Sequence, residues 1–326
     1  MARVLILGGA GFIGFHLADR LSQEGDSVTL VDDHSRGRLD RDLASLTARP
    51  NVTLVEADLT DARSYARLPR RWDQVWMLAA VVGVRNVEGD PARVIRVNAL
   101  ATLHLLDWIG PEAGVLFFAS TSEVYAGGVD AGIVPVPTPE DVPLVITDVA
   151  HPRAAYAVSK VLGEAAVIHA ARARGVPFVI ARFHNVYGPR MGTDHVIPEL
   201  CLRALAGEDP FRVWSVDQRR AFCHVADAVE AMVALVRTER AWGQLVHVGN
   251  DRDETTIGDL AALVLRTARV SPRVVALPAP SGSVSRRCPD LSRLRALTGC
   301  TPKVSLEDGV RQTLEWYRTW RAGAGA

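Results

Sequence analysis

The sequence is poor in lysine. Of its 37 basic residues, only Lys160 and Lys303 are lysines and the rest are arginines. A chain that uses arginine wherever a positive charge suffices gives weight to a lysine that stays, because a compact, titratable ammonium does what a guanidinium cannot. Cysteine is scarce too. Cys201, Cys223, Cys288 and Cys300 form no CxxC pair, which argues against a disulfide scaffold and predicts reduced thiols in a cytoplasmic protein. The nine histidines show no HxxxH spacing, so no metal site is expected. Neither sign of charge is in excess, since 37 basic residues meet 37 acidic ones. With no global field, nucleic acid and anionic membranes are not expected partners, and an anionic ligand must be held by a local pocket. No apolar run reaches the roughly 18 residues of a membrane span. The apolar start, Val4 to Leu7, runs straight into Gly8 and Gly9, with charges at Asp19 and Arg20. It reads as a buried strand rather than a secretory signal.

What is present points to two closely joined domains. The chain has 326 residues, 48% of them hydrophobic, enough for a substantial core. Apolar runs at Val4–Leu7, Val28–Val31, Val52–Glu56, Gln74–Leu78, Val115–Ala119 and Phe178–Ala181 alternate with amphipathic stretches such as Ile13–Gln23, Pro91–Trp108 and Tyr156–Arg174. Such alternation predicts βαβ units and a doubly wound parallel sheet of Rossmann type, covered on both faces. The pattern changes after Phe183. Residues 1–183 are therefore expected to form the dinucleotide domain, with later segments near 220–250 returning to it. Residues 184–326 are expected to form a smaller α+β substrate domain, with helices at Pro198–Ala206, Ala226–Arg237, Ile257–Ala268 and Leu306–Ala322. The segment Ala126–Arg153 holds five prolines and reads either as a lid or as a rigid surface loop.

The first strand leads into Gly8-Gly9-Ala10-Gly11-Phe12-Ile13-Gly14, which opens a helix. In this strand–turn–helix context Gly8 permits the turn, Gly11 lets backbone amides approach a pyrophosphate, and Gly14 allows close helix packing. The helix N-terminus adds a positive dipole end. The second strand ends at Asp32, eighteen residues beyond Gly14. A carboxylate there accepts from ribose hydroxyls and repels a 2′-phosphate, favouring NAD over NADP. Arg36 and Arg38 lie close enough to argue the other way. Asp58, followed by Leu59, either contacts adenine or caps a helix.

Tyr156 and Lys160 are spaced i, i+4 on a predicted helix, so both project from one face. The ammonium is expected to lower the phenol's pKa, so that Tyr156 takes a proton from a sugar hydroxyl as hydride leaves for NAD. Thr121 and Ser122, after the fifth strand, sit where such sheets bind ligands and are candidates to hydrogen-bond that hydroxyl. Glu123 beside them either serves chemistry at the sugar's C5 or pairs with an arginine.

These residues together resemble the extended short-chain dehydrogenase/reductase superfamily, and within it the NAD-dependent nucleotide-sugar epimerase/dehydratase family. The likeness runs through Gly8–Gly14 with Phe12 and Ile13, Asp32, Asp58-Leu59, Leu78-Ala79-Ala80, Asn98, Ser120–Tyr125, Tyr156…Lys160 and Arg182–Arg190. It continues in Arg220-Ala221-Phe222, Val225-Ala226-Asp227, Val248-Gly249-Asn250 and Leu306…Trp316. The resemblance implies transient oxidation at the sugar C4 by NAD and return of the hydride. It implies Thr121, Tyr156 and Lys160 as a catalytic trio and Leu78, Ala79 and Ala80 among the cofactor contacts. Asn185 is implied near the substrate diphosphate, Arg220 near the diphosphate or sugar, and Arg190 and Arg287 in similar roles. It also implies a homodimer through a four-helix bundle built from Val94–Trp108 and Tyr156–Arg174. Thr121-Ser122-Glu123, Pro189-Arg190-Met191 and Gln218–Phe222 are most similar to UDP-glucuronate decarboxylases. The chain departs from that pattern at Val81–Val87, in the proline-rich loop and at Gly192–Glu199, where His195 and Glu199 are placed to shape the base or sugar pocket. A 4- or 5-epimerase and a 4,6-dehydratase stay open. So do a non-catalytic NAD-sensing protein and an NADPH-consuming reductase, against which Asp32 argues.

Overall fold

The computed structural model describes residues 1–37, 39–279 and 284–324; Arg38 lies outside them. The first half alternates β1 (Arg3–Leu7), α1 (Phe12–Gln23), β2 (Ser27–Asp32), α2 (Arg41–Thr47), β3 (Val52–Glu56), α3 (Ala62–Ala66) and β4 (Trp72–Met77). Helices α4 (Val84–Gly89) and α5 (Pro91–Trp108), strand β5 (Ala113–Thr121), helices α6 (Ala126–Asp130) and α7 (Ala154–Arg174) and strand β6 (Phe178–Phe183) follow. Local chemistry sets several ends. Asp90 caps α5 by accepting from the Arg93 amide at 2.9 Å, with Pro91 in the first turn, a position where its missing N–H costs nothing. Helix α7 stops at Gly175, whose φ of 67° ends a helix without a side-chain clash.

Strand β7 (Val186–Tyr187) opens the second half, followed by α8 (Val196–Leu205), β8 (Phe211–Trp214), β9 (Arg219–Ala221), β10 (Cys223–His224), α9 (Val225–Arg237) and β11 (Gln244–Val248). The chain finishes with β12 (Glu254–Thr256), α10 (Ile257–Ala268), β13 (Val274–Leu277), β14 (Arg286–Arg287), α11 (Ser292–Thr298) and α12 (Leu306–Ala324).

Seven strands form one parallel sheet in the order β11-β6-β5-β4-β1-β2-β3. This is the Rossmann order with a seventh strand, β11, added beyond β6. The direction of winding reverses between β1 and β4, and ligands of such sheets bind outside the strand C-termini at that point. Side chains alternate across the sheet. Trp76 and Phe117 fall on one face with Leu17 and Met232, while Val75, Leu116 and Phe118 fall on the other with Leu105 and Val167. Both faces are thus dry, as the continuous apolar strands require. A third core joins α8, α10 and α12 around Phe211, Leu260 and Tyr317. The three-stranded sheet β12-β9-β14 stands over the C-terminal edge of the large sheet. The proline-rich segment is tied down at its middle: Thr138 bridges to Pro289, and buried Glu140 accepts from the His247 amide at 3.0 Å. That anchoring fits a rigid loop better than a lid.

Candidate active site

A cavity of about 440 Å³ lies over the β1/β4 crossover. Its floor is the glycine turn. Gly8 has φ +86°, and a Cβ there would lie 2.6 Å from the Ala79 amide nitrogen. A Cβ on Gly14 would lie 2.3 Å from the Gly8 carbonyl oxygen. Both clashes are with backbone, so no side chain can move aside; only glycine lets this turn reach the neighbouring strand and helix. Helix α1 starts at Gly11 with no side-chain cap, which leaves its first amides to an anionic group. Phe12, Ile13, Leu59, Leu78, Ala79 and Ala80 line the same space. Asp32 accepts from the Ala10 amide at 3.0 Å and the His34 amide at 2.9 Å, and burial pushes its pKa up. It lines the cavity with oxygen lone pairs to spare. Asp58 also lines it, holding the amide and hydroxyl of Thr60. The cap of α3 is Asp61, so helix capping falls to that neighbour. These features fit a dinucleotide: a turn only glycine can make, open amides where a pyrophosphate would sit, and a carboxylate at the end of β2.

Opposite the turn, β5 ends in Thr121, and a single 3₁₀ turn (Ser122–Tyr125) carries Ser122 and Glu123. Helix α7 brings Tyr156 and Lys160 to the same wall. Tyr156 hydrogen-bonds Thr121, yet its pKa is raised, first by burial and then by the Glu123 carboxylate; Thr121 and Arg36 pull it down by less. Lys160 is 4% exposed. It donates to the Ala119 carbonyl at 2.8 Å, with its nitrogen 5.1 Å from the centre of the Phe118 ring. Burial pushes its pKa down to about 8, against the pull of Glu164. The expectation that Lys160 acidifies the phenol is therefore corrected for the protein alone. The ammonium is occupied by a carbonyl, and desolvation and Glu123 decide the phenol's shift.

Glu123 meets an arginine: Nη1 of Arg287 donates to it at 2.8 Å. Burial would raise this carboxyl, but Arg287, with help from Arg153 and Arg220, holds it below its usual value. Strand register explains the cluster. Strands β9 and β14 run parallel with Arg219 opposite Arg286 and Arg220 opposite Arg287. Alternation sends the first pair to Glu254, at 3.7 and 2.7 Å, and leaves the second pair toward Glu123.

The four expected substrate residues part company here. Arg287 and Asn185 line the cavity. Asn185 has φ +43° and donates from Nδ2 to the Ala221 carbonyl at 2.9 Å, so it also fastens β7 to the strands beside it. Arg190 touches the cavity but is 3% exposed. It donates to Asp40 and to the Ala10 carbonyl, both at 2.9 Å, and stacks over Phe15. Its donors are spent under the glycine turn, which it braces. Arg220 is not on the cavity wall. It donates to Gln218 and to the carbonyls of Arg219, Val284 and Ser285, and burial followed by Arg287 pushes it down to about 10. Of the other two expected residues, His195 lines the cavity, whereas Glu199 pairs with Arg203 at 3.3 Å.

Several contributors had been given no role at this wall, although Arg36, Asn98, Ser120, Tyr125 and Arg182 were named in the sequence. Arg153 and Arg36 line the cavity, and Arg36 reaches across it to donate to the Val82 carbonyl. Asn98 binds both backbone atoms of Val81 and the Ser159 hydroxyl, and Ser159 in turn donates to the Tyr156 carbonyl. Behind the wall, Glu164 accepts from Ser120 and Arg182, and Arg182 also donates to Tyr125. The available signal was Glu164 four residues after Lys160 on α7, hence on its face.

A glycine turn at the crossover of a seven-stranded Rossmann sheet, facing a tyrosine and a lysine on one helix, defines an enzyme that works with a bound nicotinamide dinucleotide. The sequence matches the model of the NAD dependent epimerase/dehydratase family over residues 4–249, and the chain belongs to that family. It is 33% identical over 325 residues to a UDP-N-acetyl-alpha-D-glucosaminuronate decarboxylase of Bacillus cytotoxicus, covering 97% of this chain and 98% of that one. Among solved structures it is similar to UDP-glucose 4-epimerase of Thermotoga maritima, with 28% identity, TM-score 0.85 and coverage of 98% and 99%. It is also similar to the dTDP-glucose 4,6-dehydratase DesIV of Streptomyces venezuelae, with 26% identity, TM-score 0.87 and coverage of 98% of each chain. Among the described residues, no helix is long and apolar enough to cross a membrane and no cluster could hold a metal ion.

Proposed function

We propose that this enzyme decarboxylates a UDP-linked uronic acid after transient oxidation at C4. The observation that carries the reading is the charge around Glu123. Glu123 takes only Nη1 of Arg287 on the cavity wall, which leaves that guanidinium with further N–H donors beside Tyr156 for a second carboxylate. A uronic acid brings one; a neutral hexose does not. The similarity to a uronate decarboxylase supports the same choice.

NAD, held along Gly8–Gly14 and Asp32, supplies the hydride acceptor for C4 and the hydride that later returns. Tyr156 takes the C4 hydroxyl proton, with Thr121 bonded to the same oxygen. Burial keeps that phenol protonated at rest, so its proton leaves only when positive charge is bound nearby. Lys160, on the same helix and with its pKa lowered by burial to about 8, is able to exchange a proton there. With C4 a ketone, the C6 carboxylate is a β-keto acid. Arg287 holds that carboxylate and Glu123 repels it. The C5–C6 bond breaks to release carbon dioxide, its electron pair passes into an enolate with the C4 oxygen, and C5 takes a proton from solvent before hydride returns to C4. Dehydration at C6 instead needs an acid to protonate the leaving hydroxyl. Glu123, held ionised by Arg287, is poorly suited to give one.

Two coarser features belong to the same reading. Ile95 and Leu103 lie eight residues apart on α5 and Leu162 on the adjoining α7, and all are at least 41% exposed. Their apolar face supports a homodimer through these helices. Four free cysteines support a reducing, cytoplasmic setting.

The test is incubation of the purified enzyme with UDP-glucuronate, UDP-glucose and UDP-N-acetylglucosamine, read by mass spectrometry and proton NMR. Loss of carbon dioxide from the uronate alone is expected. An isomer of unchanged mass, or loss of water from UDP-glucose, would replace this reading with epimerisation or dehydration.

A further inference from the structure

Behind the Ser122–Arg287 part of the wall lies a second chamber of about 10 Å³, the space of about one water molecule. Ser122 and Arg287 line both it and the main cavity. The ring of His184 lines the chamber as well. This imidazole is 1% exposed, and neither ring nitrogen has a hydrogen-bond partner. Burial, then the neighbouring His247, Arg287 and Arg182, hold it well below its ordinary pKa, so the ring is neutral, with one donor and one acceptor. A buried imidazole with neither site satisfied is costly. Its neighbour His247 shows the usual solution, bonding Tyr125 at 2.7 Å and the Asp290 carbonyl at 3.1 Å.

Polar groups converge on the same spot. Thr138 lines the chamber and donates its hydroxyl proton to the Pro135 carbonyl at 2.8 Å, so its oxygen can still accept. Arg287 gives Nη1 to Glu123, and its other donors have no acceptor among the described residues. A bound water needs two to four polar partners. The imidazole, two hydroxyls and a guanidinium supply them.

We propose that the chamber holds one ordered water, bound by His184 and bonded to Arg287, and that His184 is thereby a positioning residue for the Arg287–Glu123 pair. The water occupies Arg287 on the side away from the cavity and fixes the guanidinium that grips Glu123. The inference rests on the functional reading given to that pair, and it names a residue that touches neither substrate nor cofactor.

The test compares wild type, His184→Phe, His184→Gln and Val129→Ile as NAD-loaded protein. Phenylalanine keeps the ring and removes both polar sites. The added methyl of isoleucine takes the water's space and leaves His184 in place, which covers the case that His184→Phe does not fold. Three readouts apply: high-resolution crystal density in the chamber, titration of the Glu123 carboxyl by carbon-13 NMR, and the kcat–pH profile for the uronate. We expect one water within hydrogen-bond reach of His184 and Arg287 in wild type and its loss in His184→Phe and Val129→Ile. In both variants Glu123, still faced by Arg287, Arg153, Arg220 and Tyr156, should titrate at higher pH. The acid limb of kcat should move with it, kcat should fall about tenfold, and KM should change little. His184→Gln should keep the water and most of kcat. A wild-type chamber without density overturns the proposal, and so does loss of the water with the Glu123 titration unmoved. If no uronate is turned over at all, the functional reading fails, while density and titration still decide this one.

Discussion

Tyr156 and Glu123 carry opposite demands within one wall. In the proposed reaction the phenol loses a proton, yet burial and the nearby Glu123 charge both resist that loss. Replacing Tyr156 with Phe removes the proton acceptor and leaves the glycine turn and Asp32 untouched. We expect Tyr156→Phe to lower kcat by about 10³-fold, within the range for loss of a positioned acid or base, with NAD still bound after gel filtration. Wild-type turnover in this variant would remove Tyr156 from the mechanism. Glu123→Gln tests the other group. It takes away the charge that repels the departing carboxylate but leaves Tyr156, Lys160 and the cofactor turn in place. Oxidation at C4 should persist, seen as nicotinamide absorbance on mixing with UDP-glucuronate, while carbon dioxide release should slow by about 10²-fold. Equal slowing of both steps would show that Glu123 serves the oxidation as well. Most of these residues were readable in the sequence because their spacing is local. Tyr156 and Lys160 share a helix face, and Thr121 to Glu123 follow directly from a strand end. The direction of the phenol's shift was not readable. It depends on Lys160 turning to Ala119 and on Glu123 lying nearby, both set by tertiary packing.

At the level of elements, the same division appears between local pattern and remote pairing. Six strands of the large sheet announce themselves as apolar runs. The structure leaves β3 at Val52–Glu56, shifts β4 to Trp72–Met77 and extends the other four by one or two residues at an end, as from Val115–Ala119 to Ala113–Thr121. Strand β11 was not among those runs, although segments near 220–250 were expected to return to this domain. Gln244–Val248 follows a long helical lobe and joins β6, some 60 residues back, as the edge of the sheet. Arg220 is the sharpest case. Which way it faces depends on β9 being gripped between β12 and β14, and β14 lies more than 60 residues away. Nothing in the Gln218–Phe222 motif fixes that register, so the family resemblance implied Arg220 at the ligand, whereas the fold places it behind Arg287. Helices α5 and α7 illustrate the converse: the resemblance implied a dimer face there, and Ile95, Leu103 and Leu162 stand exposed on them. If that face joins two chains, a charge at its centre should split the dimer. We expect Leu103→Asp, at 41% exposure in the single chain, to convert a dimer into a folded monomer. Sedimentation velocity with circular dichroism checks this. A wild-type monomer, or a variant that stays dimeric, would rule out the interface.

Across the whole molecule, function and stability draw on the same dry interior. The sheet is sealed on both faces, and the second lobe closes over its C-terminal edge, with Arg190 joining that lobe to Asp40 and the glycine turn. Sealing the site also traps histidines. His184, His224 and His247 are each at most 4% exposed, and burial is the largest cause of lowered pKa in all three: well below the usual value for His184, to about 4 for His224 and to about 3 for His247. In the unfolded chain each titrates near ~6.5. Between these values the unfolded state binds protons that the folded state refuses, so stability is complete above about pH 6.5 and drains away as pH falls. Three such protons give a slope of up to about 4 kcal/mol per pH unit. Asp32 and Glu140, whose burial raises their pKa values, take up protons in the folded state and offset part of it. Against a typical total of about 5–15 kcal/mol, the remainder lowers stability by a readable amount as the pH falls below 6.5. Thermal unfolding at pH 7, 6 and 5 should therefore show a Tm that falls steadily below pH 6.5, and His247→Asn should flatten the fall because it removes one trapped imidazole. A Tm independent of pH across that window would mean that these histidines exchange protons with bulk solvent without unfolding.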